Sequence, residues 1–80
     1  MSELPKLRWR CRRGMKELDV LLLNYLERHY ALASESEQCI FKSLLELQDP
    51  QLYAYMIGRE IPADAAVAHV VRKITTAVNA

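Results

Sequence analysis

Residues 16–31, KELDVLLLNYLERHYA, decide how the rest of the chain is read. Leu18, Leu21, Leu22, Tyr25, Leu26 and His29 recur at the spacing of one helix face, and Val20 and Leu23 widen that face. A helix apolar around so much of its circumference needs neighbours on several sides, which makes it the central one. Glu17 and Asp19 stand in its first turn, where acids are favoured. The expectation is an all-α fold packed around a helix over residues 16–31.

Upstream, Leu4, Leu7 and Cys11 fall at i, i+3 and i+7 and predict a short first helix. Pro5 is tolerated in its first turn. Gly14 is its natural stop, with Arg12 and Arg13 suited to the negative end of the helix dipole. Trp9 lies about 200° from Leu7 around that helix, off the apolar stripe. It either packs on another element or stays exposed for a partner. Downstream, Ser34 and Glu37 in ASESEQ (residues 33–38) have capping-box spacing. They open a third helix over 34–48 with Ile40, Phe41, Leu44, Leu45 and Gln48 in period. Asp49-Pro50 reads as a cap followed by proline at the first helical position, starting a short fourth helix over 52–57 that Gly58 ends. Pro62 and Asp64 open a last helix with Val67, Val70, Val71, Ile74 and Val78 on its stripe and Arg72 and Lys73 outside. The whole is expected to be a compact five-helix bundle, one domain over residues 1–80.

Bulk properties narrow the function. An 80-residue chain buries only about 60% of its unfolded surface, leaving little room for a deep catalytic cleft. Apolar residues make up 51%, enough for a folded protein. The two cysteines, Cys11 and Cys39, make no disulfide framework and are expected to be reduced thiols in small apolar packing sites. The longest apolar run, 52–57, is far below a membrane span, and the N-terminus has no secretory pattern. A cytoplasmic protein without membrane insertion is expected. P-loop, CxxC and His-rich motifs are absent, so no metal site is expected.

The net charge of +1 hides a strong asymmetry. Residues 6–16 hold Lys6, Arg8, Arg10, Arg12, Arg13 and Lys16 and no acid, so the remainder sums to −5. CRRGMKELD, residues 11–19, closes this basic stretch. Four readings of these charges compete. Acid–base catalysis by Glu17, Asp19 and His29 lacks a nucleophile–base–orienter set, and the two acids point apart on a helix. Nucleic-acid binding has Arg8, Arg12, Trp9 and Arg13 in its favour, but it sets a basic arm of barely three turns on an acidic body. Helix-end charges alone explain the order of charges but not the surplus of cations nor Trp9. Arg and Trp are over-represented at the energetic centres of protein interfaces, which favours a docking surface.

Arg13-Gly14-x-x-Glu17 resembles the R-G-x-x-E signature of the succinate dehydrogenase flavinylation factors, the bacterial SdhE proteins and their mitochondrial relatives. The longer string W-x-C-R-R-G-M-x-E-L-D, then IFKSLLELQDPQLYAYM, PADA and VRKI, is similar to the family in order from Leu7 to about Thr75. The resemblance implies a five-helix bundle and a chaperone, not an enzyme. Its partner would be the flavoprotein subunit of succinate dehydrogenase, or of the related fumarate reductase. FAD becomes covalently attached to a histidine of that client; the FAD is the client's, and the chaperone holds no prosthetic group. Carried over, Arg13, Gly14 and Glu17 are the core of the docking surface, with Arg12, Lys16, Asp19 and Trp9 around it. Arg12 or Arg13 would pair with a client carboxylate. Where relatives often have Trp this chain has Tyr55, expected to serve packing. A monomer is expected. The alternative is a small regulatory binder, nucleic-acid-linked or antitoxin-like, using the basic N-terminal arm.

Overall fold

The structure, a computed structural model, describes residues 3–79, and side chains as far as residue 76. Among these residues the chain forms five α-helices: α1 (Glu3–Arg10), α2 (Lys16–Arg28), α3 (Glu35–Leu44), α4 (Asp49–Met56) and α5 (Ala65–Asn79). A single 3-10 turn, Tyr30–Leu32, follows α2. The all-α, five-helix expectation holds.

α2 is the central element because its apolar residues cover more than one face. Leu18, Leu22, Tyr25 and Leu26 are buried. They share one core with Val70, Val71 and Ile74 of α5, Phe41 and Leu44 of α3, and Leu52 and Met56 of α4. The most extensive helix pairing is α2 on α5. Leu7 of α1 and Cys11 just beyond it close the core from the N-terminal side. The Phe41 ring lies 4.8 Å from that of Tyr25 and 5.6 Å from that of Tyr30, binding α2, the 3-10 turn and α3 into one aromatic cluster. The radius of gyration, 11.5 Å, is that of a compact chain of this length, for which scaling gives about 11.6 Å.

Several boundaries and faces differ from expectation, each for a physical reason. α2 stops at Arg28, and the 3-10 turn swings Tyr30 into the core. His29 is exposed at the helix end, its ring stacked 5.8 Å from that of Tyr25. Val20 is half exposed, so the apolar face of α2 is narrower than its composition suggests. Leu4, expected on the α1 stripe, and Cys39, expected in apolar packing, are both exposed; only Cys11 is a core thiol. The Ser34 hydroxyl does cap α3, accepting the Glu37 N–H at 3.2 Å. The reciprocal half of the box is missing because the Glu37 carboxylate bonds the Tyr25 hydroxyl and Lys73 instead. α3 ends at Leu44, and Gln48 takes an extended conformation ahead of α4. Asp49 thereby becomes the first residue of α4, with its side chain free for a use other than capping. Asp64 caps α5 as expected, accepting the Ala66 N–H at 2.8 Å. Val78 lies outside the described side chains.

Candidate functional site

The stretch singled out in the sequence forms the link between α1 and α2. α1 ends at Arg10. Its pattern continues for two residues, with the Cys11 N–H on the Leu7 carbonyl at 3.0 Å and the Arg12 N–H on the Trp9 carbonyl at 3.1 Å. It then breaks, because the Arg13 N–H donates to the Asp19 carboxylate at 2.8 Å rather than back along the helix. Arg12 and Arg13 therefore lie past the helix end, and the cations in its last turn are Arg8 and Arg10. Gly14 has a φ of 88°, the left-handed region, where any other L-residue is strained by roughly 1–2 kcal/mol. A Cβ built on Gly14 meets nothing within 4 Å. The glycine is required by the turn and not by crowding, and the space above it is open.

Arg13 faces inward. Its side chain is only 12% exposed, and its Nε lies 2.8 Å from Oδ1 of Asp49 at the start of α4. One terminal nitrogen donates to the Leu45 carbonyl at 2.8 Å and to the Arg10 carbonyl at 3.1 Å. The other donates to the Leu47 carbonyl. The planar fork of a guanidinium suits several acceptors in one plane. It gathers the carbonyls left open where α3 ends, which is why α3 stops short of residue 48. Hydrogen bonds to a charged donor contribute roughly 1.5–3 kcal/mol each, so the group fixes the α1–α2 link onto the α3–α4 link. Of Arg12 and Arg13, either of which the sequence leaves open to a client carboxylate, Arg13 is the one engaged within the chain. Asp19 likewise serves the link, through the Arg13 N–H.

Gly14, Arg12, Lys16, Glu17 and Trp9 remain on the outside; all are exposed, Trp9 by 76%. Among the described residues, Arg12, Lys16 and Glu17 enter no ion pair, whereas Arg8 pairs with Glu27, Arg10 with Glu46 and Arg13 with Asp49. Half of the cations of the basic stretch are thus neutralised within the chain, which weakens the case for a nucleic-acid arm. An open depression of about 400 Å³ is lined by Lys16, Glu17, Val20 and Leu21. Of its apolar members, Val20 is half exposed, whereas Leu21 is partly buried against the core. The depression combines an apolar floor with charged neighbours and lies beside the open glycine turn.

Other candidates separate. Glu17, Asp19 and His29 do not converge: Asp19 holds the link, and His29 stacks on Tyr25 at the far end of α2. Burial pushes the Cys11 thiol up to about 12, so it is inert. Tyr55 is half-buried and packs against the core. The described residues contain no cluster that would hold a metal ion and no helix long and apolar enough to cross a membrane. Sequence reasoning missed the engagement of Asp49 and the exposure of Val20. Asp49 lies 36 residues from Arg13, a separation no local pattern reports; Val20 was assigned to the core by periodicity.

The chain is 46% identical over 67 residues to the FAD assembly factor SdhE of Xylella fastidiosa strain 9a5c, covering 84% of this chain and 69% of that protein. It is 41% identical over 69 residues to the FAD assembly factor SdhE of Coxiella burnetii, covering 86% and 84%. With that of Shewanella oneidensis it shares 36% over 74 residues, covering 92% and 90%. These relatives are named as assembly factors, not as enzymes. The family described as flavinator of succinate dehydrogenase, Sdh5, matches residues 5–78, and to that family this chain belongs.

Proposed function

We propose that this chain is an FAD assembly factor that docks on the flavoprotein subunit of succinate dehydrogenase, and on that of fumarate reductase, and promotes covalent attachment of FAD. The observation that carries the docking mode is the open ground above Gly14 beside Glu17, which enters no ion pair among the described residues. Gly14 lets a client backbone approach closely. Glu17 meets a client cation, Arg12 and Lys16 meet client carboxylates, and Val20 and Leu21 supply apolar contact. Trp9 adds an aromatic anchor on the neighbouring helix. FAD stays with the client, where the bond forms; the factor acts as a monomer in the cytoplasm.

No catalytic group of the factor is needed for this. A client that samples an attachment-competent arrangement rarely is shifted toward it by whatever binds that arrangement better. A difference of about 5.5 kcal/mol moves a population from 1:99 to 99:1. Removing the factor should leave the flavoprotein subunit largely without covalent flavin, read as in-gel flavin fluorescence of the denatured subunit. Full fluorescence in the deletion strain, with growth on succinate intact, would overturn the proposal.

A further inference from the structure

We propose that Arg13 and Asp49 act together as positioning residues: through their ion pair and the carbonyls of Leu45 and Leu47 they hold the Gly14 turn in its docking conformation, and the Arg13 guanidinium does not touch the client. This inference rests on the docking reading of Gly14 and Glu17, and it assigns a role to Asp49, which lies on a different helix from that surface.

Four observations carry it. The Arg13 side chain is 12% exposed while that of Asp49 is 38% exposed, so the cation is the inner member of the pair. The guanidinium has acceptors on three sides, at Asp49, Leu45 and Arg10, besides Leu47. The Arg13 backbone N–H is fixed by Asp19, so both ends of the residue immediately before Gly14 are held. Gly14 itself has no side chain and no neighbour within 4 Å of its Cβ position, so nothing else restrains the turn from the outside. A glycine turn left to itself samples both signs of φ. Anchoring the preceding residue restricts it to one, which lowers the ordering cost of docking.

The test uses the full chain in four variants: Arg13→Gln, Asp49→Asn, the double variant, and Glu17→Ala. Affinity for the purified flavoprotein subunit is measured by calorimetry, and amide hydrogen exchange across residues 12–16 is followed in the free chain. Each of the two single variants is expected to weaken docking by about tenfold, the middle of the range for coupled groups. The double variant is expected to be no weaker than the worse single one, since both break one unit. Exchange at Gly14 and Met15 should rise in all three while the helical melt is retained. Independent, multiplying losses would mean two separate contacts with the client and would overturn the inference. So would unchanged exchange in Asp49→Asn, a variant that keeps Arg13 and so guards against simple unfolding. Glu17→Ala separates the two claims: unchanged docking in that variant overturns the docking reading, whereas the exchange measurement judges the anchoring without any client.

Discussion

Gly14 and Gly58 form a natural matched pair. Their φ values are 88° and 81°, and a Cβ on either meets nothing within 4 Å. Replacing each with arginine should therefore cost the same strain, roughly 1–2 kcal/mol. Gly14→Arg should abolish covalent flavinylation in a deletion strain, and Gly58→Arg should leave it near wild type, with similar thermal melts for the two. Equal loss in both would reduce Gly14 to a turn residue. The thiols offer a second contrast. Cys11 is fully buried with its thiol pushed up to about 12, while Cys39 is exposed. A maleimide should modify one cysteine of the native chain, Cys39, and reach Cys11 only on unfolding, as intact mass will show. The sequence placed Cys11 correctly because its period runs with Leu7. It misplaced Cys39 because its neighbours Ile40 and Phe41 do not set its face: residues one apart on a helix point about 100° from each other.

At the scale of elements, the helices were legible and their joints less so. Ser34, Asp64 and Gly58 marked ends that the structure keeps, since each signal is local: an oxygen within reach of a free N–H, or a glycine at positive φ. The ends of α2 and α3 were overrun. Tyr30 enters the core from a 3-10 turn, and the link after α3 gives the Leu45 and Leu47 carbonyls to Arg13; both gains depend on partners distant in sequence. Glu37 shows how one residue couples three helices. It stands in the first turn of α3, accepts the Tyr25 hydroxyl of α2 at 2.6 Å, and lies 3.0 Å from Lys73 of α5. The Tyr25 hydrogen bond and Lys73 hold its carboxyl below the ordinary value of 4.5. A depressed folded pKa contributes stability that is fully present above the ordinary value and is lost as pH falls through the folded one. The melting temperature should accordingly drop on acidification from about pH 4.5 downward, and Glu37→Gln should flatten that part of the profile. An unaltered acid limb in the variant would show that other carboxylates set it. Ser34→Ala, which removes only a cap, should destabilise the chain by about 1 kcal/mol at every pH.

Across the whole molecule, the charge asymmetry seen in the sequence survives only in part. Ion pairs from Arg8, Arg10 and Arg13 join the basic stretch to the acidic body and leave Lys6, Arg12 and Lys16 for the outside. Steering by these residues should make association with the flavoprotein subunit salt-sensitive in its on-rate, falling on the order of tenfold between low and high ionic strength. Arg12→Gln should reduce that dependence, with stopped-flow mixing as the measurement. This division of the cations was invisible in the sequence, where all six looked alike; only the folded chain brings Glu27, Glu46 and Asp49 alongside them. The exposure of Trp9 has a practical corollary. It is the chain's one tryptophan and is already 76% in water. Its emission should be that of a solvated indole in the folded state and change little in urea, so fluorescence will be nearly blind to unfolding. A client that covers the indole should shift the same emission to shorter wavelength. The molecule thus carries an intrinsic optical reporter that is silent on its own stability and speaks only when it is bound.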